Sequence, residues 1–198
     1  MLCWPHVFAY RYAILFILLG FGICHWFGLI WVPVRFVVSL MSLAQPSGRG
    51  SELSISWLRT RRLAIGPMPQ IEHHWLALQQ QGVQSIFCCC EVEEGPWLPP
   101  QEWKQRRFPL PDHRQPDEMT SAMLDQAINS ALDLYLAGPT LYLHCWAGME
   151  RSPLVAIGLL CRAESLNFFE ALAQVRYQHP IAKPLIPHLL ILESLLAG

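Results

Sequence analysis

The sequence predicts an α/β domain over residues 55–198, preceded by a transmembrane helix. Two observations predict the domain. Short apolar segments alternate with segments in which apolar residues recur at helical spacing, and one apolar strand leads through a cysteine-containing loop into an apolar helix. A third observation, a run without formal charge over residues 12–34, predicts the transmembrane helix. The domain's roughly 140 residues are enough to bury a hydrophobic core.

The predicted elements follow from periodicity and from residues that end helices. Gly82 stops one helix, and Gly138 with Pro139 stops another. The predicted strands cover residues 57–68 (one strand or a hairpin), 83–90, 106–110 and 140–144. The predicted helices cover residues 70–81, 117–136, 153–164, 168–178 and 187–196.

The most informative segment is residues 144–153, which read His-Cys-Trp-Ala-Gly-Met-Glu-Arg-Ser-Pro. A loop between a strand and a helix can turn its backbone N–H groups inward and bind an anion at the positive end of the helix. The same groups favour a thiolate on Cys145, and Arg151 can add a bidentate contact to a tetrahedral anion. The segment therefore predicts a nucleophile beneath a phosphate-binding loop, formed by Trp146, Ala147, Gly148, Met149, Glu150 and Arg151.

The pattern His-Cys-x-x-Gly-x-x-Arg-Ser resembles the signature loop of the cysteine-dependent protein tyrosine phosphatases, in particular their small atypical dual-specificity branch. Rhodanese-type sulfur transferases also have a cysteine-headed anion loop, but they do not usually combine these residues at this spacing. The resemblance covers residues 54–196. It implies a small central mixed sheet flanked by helices, and a phosphomonoester hydrolase that forms a cysteinyl-phosphate intermediate. Further matching segments are Ser56-Trp57-Leu58, Arg62-Leu63-Ala64, Gly82-Val83, Pro111-Asp112 and Arg176 with Pro180.

Attack of a thiolate on a phosphate monoester needs an acid to protonate the leaving oxygen. Members of this family have their acid in a Pro-Asp loop about thirty residues before the cysteine, which points to Asp112. Asp117 is the alternative, although it lies where a helix N-cap is expected. The resemblance also implies that Ser152 hydrogen-bonds to the sulfur, and that His144 orients the loop.

Two residues depart from the commoner loop pattern. Glu150 is expected to face solvent or to brace Arg151, because an inward carboxylate would repel both thiolate and phosphate. Pro153 replaces a small residue, and the first turn of a helix tolerates proline because its missing N–H has no helical partner there.

Three consecutive cysteines, Cys88, Cys89 and Cys90, lie in an apolar stretch. Strand alternation would place Cys88 and Cys90 on one face and Cys89 on the other. We interpret them as small buried strand residues. The alternative is that one of them, or Cys161, forms a reversible disulfide with Cys145. Three adjacent cysteines cannot all face one ion, so no metal site is predicted, and the implied chemistry requires no cofactor.

Residues 1–44 predict a membrane anchor. The run over residues 12–34 exceeds the roughly 20 apolar residues that a transmembrane helix needs, whereas a cleaved signal peptide has an apolar core of about 7–15 residues. A hairpin with a second span over residues 36–44 would place Arg35 in the bilayer, which favours a single span. The proline, glycine and serine residues in 45–54 predict a flexible linker.

The distribution of charge predicts the orientation. Residues 1–62 contain six arginines and one glutamate, and five of these arginines follow the predicted span. The positive-inside rule therefore places the N-terminus outside and the catalytic domain in the cytoplasm. Residues 63–198 contain eight basic and fourteen acidic side chains, and this excess of acidic residues argues against a nucleic-acid partner.

The resemblance implies that the substrates are proteins with phosphotyrosine, phosphoserine or phosphothreonine, dephosphorylated at the membrane. A lipid phosphate such as phosphatidylglycerophosphate is the alternative, because the anchor would bring the domain to the lipid surface. Residues 146–150 contain no lysine or arginine, which disfavours a polyanionic headgroup. A catalytically silent phosphate-binding module is the third interpretation, and the presence of Cys145, Arg151 and Asp112 argues against it.

Overall fold

A five-stranded mixed sheet lies at the centre of the fold. The computed structural model describes residues 52–95 and 98–197. The strand order is β1-β2-β5-β3-β4; β1 and β2 form an antiparallel hairpin, and the other neighbouring strands are parallel. The strands are β1 (Ser56–Arg59), β2 (Leu63–Gly66), β3 (Val83–Cys88), β4 (Lys104–Arg107) and β5 (Thr140–His144).

Helices cover both faces of the sheet. Helix α1 packs near β3, whereas α2 and α3 pack against each other and against the opposite face, and α3 also contacts α4 and α5. Short 3₁₀ turns occur at Val92–Glu94 and Pro116–Glu118. The helices are α1 (Glu72–Gln80), α2 (Ser121–Leu136), α3 (Arg151–Glu164), α4 (Phe168–Gln178) and α5 (Ile186–Ala197).

Strand β5 is buried on both faces because it lies in the middle of the sheet. Its side chains alternate: Leu141 and Leu143 belong to the large core under α2 and α3, and Tyr142 belongs to a smaller cluster with Leu78 of α1. The Tyr142 hydroxyl donates to the Pro67 carbonyl oxygen at 2.7 Å. The alternation of side chains and the pairing of β5 with its neighbours determine where β5 ends. The loop that contains Cys145 begins at that point.

Helix α3 runs through the core, and Arg151 to Leu160 are all buried. Gly158 allows α2 to approach it closely, since a Cβ there would lie 2.3 Å from Ile128 Cδ1. The helix ends at Ser165, which adopts φ +56°. Asn167 then caps α4 by accepting the N–H of Glu170 at 2.9 Å.

The predicted α/β class with a small mixed sheet flanked by helices is confirmed, and the differences concern element ends. The strand predicted over 106–110 ends at Arg107, and β3 ends at Cys88. The expectation that Asp117 is a helix N-cap is wrong. Thr120 caps α2 by accepting the N–H of Met123 at 3.2 Å, and Asp117 lies in the preceding 3₁₀ turn.

Within residues 52–95 and 98–197, no helix is both long enough and apolar enough to cross a bilayer. The predicted span at residues 12–34, the alternative second span and most of the predicted linker lie outside the described residues. The membrane anchor, its boundaries and its orientation therefore stay predictions.

Candidate active site

The cysteine loop, residues 145–150, connects the end of β5 to the first residue of α3. Three of its carbonyl oxygens accept hydrogen bonds from the rest of the domain. The Trp146 oxygen accepts from Met68 N at 3.0 Å, and the Met149 oxygen accepts from Lys183 N at 2.7 Å. The Gly148 oxygen accepts from His179 Nε2 at 2.8 Å.

These contacts orient the backbone N–H groups of the loop. In a trans peptide the N–H points opposite to the carbonyl of the same unit. Because the carbonyls of residues 146, 148 and 149 point outward to their partners, the N–H groups of residues 147, 149 and 150 face the inner side of the loop. Converging N–H groups at the start of a helix form an anion-binding site.

Gly148 gives the loop the conformation that this arrangement requires. Its φ is +73°, in the left-handed region that glycine adopts without steric cost. A Cβ at this position would also lie 2.7 Å from the carbonyl carbon of Gly66 at the end of β2. The loop and β2 are therefore too close for any other residue here.

Cys145 lies on the inner side of the loop, with a side chain only 2% exposed. The Ser152 hydroxyl, in the first turn of α3, donates to Cys145 Sγ at 3.3 Å. The sulfur therefore lies just before the N-terminal end of α3, within hydrogen-bonding distance of Ser152. His144, at the end of β5, places Nδ1 3.4 Å from the Cys145 carbonyl oxygen and stacks on Tyr142.

Arg151 is held by a carboxylate that the sequence analysis missed. Its Nη1 donates to Glu94 Oε2 at 2.5 Å and its Nη2 to Glu94 Oε1 at 2.6 Å. Nη1 also approaches the carbonyl oxygens of Cys89 (3.4 Å) and Leu110 (3.2 Å). These contacts hold the Arg151 guanidinium in one orientation beside the cysteine loop.

The ion pair changes the protonation equilibria of both partners. Burial opposes the charged forms, but the hydrogen bonds between the two side chains outweigh it. As a result, the pKa of Glu94 is lowered and the pKa of Arg151 is raised. The only sequence signal for Glu94 is the pattern from Glu91 to Glu94, which forms a capping box around the 3₁₀ turn.

Asp112, the predicted acid, is nearly buried, with 7% of its surface exposed. Arg114 binds it twice: the Arg114 backbone N donates to Oδ1 at 2.8 Å, and the Arg114 guanidinium forms an ion pair with Oδ2 at 2.8 Å. Burial raises the pKa of Asp112, but the hydrogen bonds from Arg114 outweigh burial, so that the pKa is lowered.

A cavity of about 450 Å³ brings together most of the predicted site residues. Asp117 is not among the residues that line it, which separates the two candidate acids. The lining also includes Arg114, which the sequence analysis did not select. The residues around the cavity are Glu94, Asp112, His113, Arg114, Cys145, Trp146, Ala147, Met149, Glu150 and Arg151.

Of the two expectations for Glu150, bracing of Arg151 is wrong, and the side chain is partly exposed to solvent. It does not brace Arg151, since Glu94 does so; its Oε2 lies 3.3 Å from Nδ1 of His113 instead. The contact joins the cysteine loop to the loop that carries Asp112. Pro153 lies in the first turn of α3, as expected, where it interrupts no helical hydrogen bond.

The three consecutive cysteines are fully buried, as expected, but only Cys88 belongs to a strand, because β3 ends there. Cys161 is half-buried. The hydrogen bond from Cys90 lowers the pKa of the Cys88 thiol, and the same contact raises the pKa of Cys90. Burial raises the pKa of Cys89 and of Cys161. A disulfide with Cys145 stays a prediction.

Solved structures with the same fold are tyrosine and dual-specificity phosphatases. The active form of Tk-PTP is 21% identical, with 73% of this chain and 97% of that chain covered and a TM-score of 0.62. PTPMT1 in complex with PI(5)P is 17% identical, with coverages of 72% and 94% and a TM-score of 0.61. A single-residue variant of human DUSP28 is 20% identical, with coverages of 72% and 94% and a TM-score of 0.60.

No protein-family model matches the chain, and no curated protein sequence matches it. At these identities the similarity establishes the fold. The chain therefore has the α/β fold of the dual-specificity and protein tyrosine phosphatases. A cysteine, an arginine and a nearly buried aspartate lie around one cavity of this fold.

Proposed function

We propose that the protein is a phosphomonoester hydrolase that works through a cysteinyl-phosphate intermediate on Cys145. The observation that carries the proposal is the convergence on one cavity of Cys145, the guanidinium of Arg151 and the carboxyl group of Asp112. The cysteine loop supplies N–H groups beneath the same cavity. A phosphate group in this position would meet a nucleophile, an oxyanion-binding loop and an acid at once.

In the first step, the Cys145 thiolate attacks phosphorus and the bond to the leaving oxygen breaks. Asp112 in its protonated form gives its proton to that oxygen. The loop N–H groups and Arg151 bind the equatorial oxygens, whose charge rises in the transition state. Glu94 keeps the Arg151 fork in position for a bidentate contact.

In the second step, water attacks the cysteinyl-phosphate, and Asp112, now ionised, accepts a proton from the water. The phosphorus–sulfur bond breaks, inorganic phosphate leaves and the thiolate is regenerated. The hydroxyl of Ser152, 3.3 Å from the sulfur, stabilises the negative charge that returns to it.

Phosphorylated side chains of proteins are the substrates we propose, and the predicted anchor would hold the enzyme at the membrane. Three carboxylates, those of Glu94, Asp112 and Glu150, line the cavity. Among the described residues, two arginines line it, and both are paired with these carboxylates. A monoester with one phosphate fits this balance better than a headgroup with several phosphates.

A lipid monoester is the second candidate substrate. The similarity to PTPMT1, which was solved with PI(5)P, and the predicted anchor favour it. A catalytically silent phosphate-binding module is the third candidate. The carboxylate of Glu150 at the cavity favours that candidate, because it would oppose the entry of phosphate.

The test uses the full chain, purified in detergent under reducing conditions. The substrate panel contains peptides with phosphotyrosine and phosphothreonine, and micelles of phosphatidylglycerophosphate. We expect turnover of a peptide, at least about 10³-fold lower in Cys145→Ser. Asp112→Asn should lower kcat by about 10²–10⁴-fold, whereas the matched change Asp117→Asn should stay within about twofold.

Each outcome separates the candidates. Faster turnover of the lipid would replace phosphoprotein by lipid as the substrate. Turnover that survives Cys145→Ser would exclude the cysteinyl-phosphate mechanism. Folded, reduced protein that binds vanadate but turns over no substrate would identify a binding module.

A further inference from the structure

A buried cluster of Cys88, Cys90 and His144 lies behind the cysteine loop and has no part in the proposed mechanism as a nucleophile or acid. All three side chains are 0% exposed. Their two Sγ atoms and a ring nitrogen of His144 lie within 4.8 Å of one another. We propose that this cluster is a binding site for a soft divalent cation, and we assign that cation as Zn²⁺.

Strand register brings the three residues together. Cys88 is the last residue of β3 and is paired with His144, the last residue of the neighbouring parallel strand β5. Cys90, two residues beyond the end of β3, joins the cluster with Cys88, whereas Cys89 does not. The third potential ligand is thus not a third consecutive cysteine but His144, which belongs to a different strand.

The donor atoms match the chemistry of zinc. Two thiolates and one imidazole are three of the ligands that Zn²⁺ takes in its protein sites. Zn–S bonds of about 2.3 Å in a tetrahedral site separate two sulfur atoms by about 3.8 Å. The observed donors lie within 4.8 Å of one another, so the two sulfur atoms would have to approach by at most about 1 Å to reach this separation.

Charge also favours a divalent ion in this position. Two thiolates and a neutral imidazole together carry two negative charges, and Zn²⁺ cancels them. A neutral complex avoids the large cost of burying net charge in a dry core. Binding to the protonated cluster would release the thiol protons to solvent, two at most.

Surrounding groups already orient the ligands as a second coordination shell would. The backbone N–H of Cys90 donates to Cys88 Sγ at 3.4 Å. Nδ1 of His144 faces the Cys145 carbonyl oxygen at 3.4 Å, the kind of contact that directs the other ring nitrogen toward a metal.

Occupancy would act on the cysteine loop because His144 is next to Cys145 in the chain. The backbone N of Cys89 also donates to the His144 carbonyl oxygen at 2.8 Å. An ion bound by both strands would therefore tie the base of the loop to the end of β3. This site is distinct from the cavity, since none of its three ligands lines it.

The experiment uses the reduced, metal-stripped full chain in detergent. Binding of Zn²⁺ is measured by competition with a chromophoric chelator, and Co²⁺ serves as a spectroscopic substitute whose thiolate charge-transfer absorption reports sulfur ligands. In a second arm the chain is unfolded and refolded with the ion present, because the site is closed to solvent. We expect one ion per chain, cobalt–thiolate absorption, and a melting temperature raised by Zn²⁺.

Variants identify the ligands. Loss of a hydrogen bond to a metal-binding side chain weakens metal affinity by about 10–100-fold. Loss of a thiolate that itself binds the metal should therefore weaken the affinity by at least about 100-fold. Cys88→Ser and Cys90→Ser should each do so, and Cys90→Ala serves if a serine variant does not fold. Cys161→Ser, at a half-buried thiol outside the cluster, is the matched control and should bind normally.

Two results would overturn the proposal. One is the absence of binding in both arms by protein that is folded according to circular dichroism. The other is binding that persists in Cys88→Ser and Cys90→Ser but disappears in Cys145→Ser, which would place the ion on the nucleophile. Binding of Cu⁺, and not of Zn²⁺ or Co²⁺, would replace the assigned ion by a monovalent one.

Discussion

Arg151 and Glu94 form a two-pronged ion pair, with Nη1 2.5 Å from Oε2 and Nη2 2.6 Å from Oε1. Both side chains are less than 10% exposed. The pair connects the first residue of α3 to the 3₁₀ turn after β3. The arginine that we propose to bind phosphate is therefore held by a residue outside residues 144–153.

Glu94→Ala should impair both catalysis and stability. Without its carboxylate partner, the Arg151 fork loses its fixed direction, and a misplaced binding group can cost about 100-fold in kcat/KM. The loss of charged hydrogen bonds should lower the free energy of unfolding by about 2 kcal/mol. Steady-state kinetics and urea unfolding measure the two effects. Glu93→Ala, at the exposed neighbouring residue, is the control; equal losses in both variants would contradict the role of Glu94.

Arg114→Ala should shift the pH dependence of turnover toward higher pH. Asp112 must be protonated to act as the acid, so kcat falls as pH rises through the pKa of Asp112. Arg114 lowers this pKa, and without Arg114 the burial of Asp112 raises it. The alkaline limb of the kcat profile on a phosphotyrosine peptide should therefore move upward. Arg106→Ala, an exposed arginine of β4, should leave the profile in place; an unshifted limb in Arg114→Ala would argue against Asp112 as the acid.

His179 should make stability depend on pH. Its Nε2 donates to the Gly148 carbonyl and its Nδ1 lies 2.8 Å from Ser56 Oγ, so neutral histidine holds the loop. Burial lowers its pKa. Between this lowered pKa and the ordinary value of about 6.5, only the unfolded state binds the proton, so stability falls as pH decreases through this window.

Urea unfolding at pH 7.5 and pH 5.5 measures this contribution. The wild-type protein should lose more stability on acidification than His179→Gln, because the variant lacks the titrating ring. His73→Gln changes an exposed histidine and should behave like the wild type. An identical pH dependence in all three proteins would refute the assignment to His179.

Gly148→Ala should destabilise the domain more than Gly82→Ala does. Both glycines have similar positive φ, +73° and +81°, so an alanine meets similar backbone strain of about 1 kcal/mol at either position. Only at Gly148 would the new Cβ also lie 2.7 Å from backbone carbon of Gly66. We therefore expect a loss of at least about 2 kcal/mol and a strong loss of activity for Gly148→Ala alone. Matching unfolding curves for the two variants would show that the loop adapts.

The sequence was most informative where the chemistry is local. The loop from His144 to Ser152 is one continuous segment between two periodic elements, so its spacing and its conformation could be predicted together. The bounds of β5 and α4 agree with prediction for a similar reason, since each has clear capping or breaking residues at its ends.

Contacts between distant segments could not be predicted in this way. Glu94 lies 57 residues before Arg151 and in a different element, and nothing in its own neighbourhood indicates this partner. The pairing of Cys88 with His144 depends on the register of β3 against β5, which a single sequence does not determine. The sequence pattern predicts an N-cap at Asp117, but Thr120 has that role because a 3₁₀ turn at Pro116–Glu118 precedes α2.

The cysteine loop forms hydrogen bonds with other parts of the domain, so residues 144–153 should have no activity on their own. Its carbonyl partners, Met68, His179 and Lys183, come from the end of β2 and from the α4–α5 connection. In a peptide of residues 144–153, those carbonyl groups would bind water instead. The backbone N–H groups of the peptide would no longer be held in one direction. The affinity for phosphate should therefore be lost only when the whole domain unfolds. For the same reason, hydrogen exchange of the loop amides should proceed through the same opening event as exchange of the α3 amides.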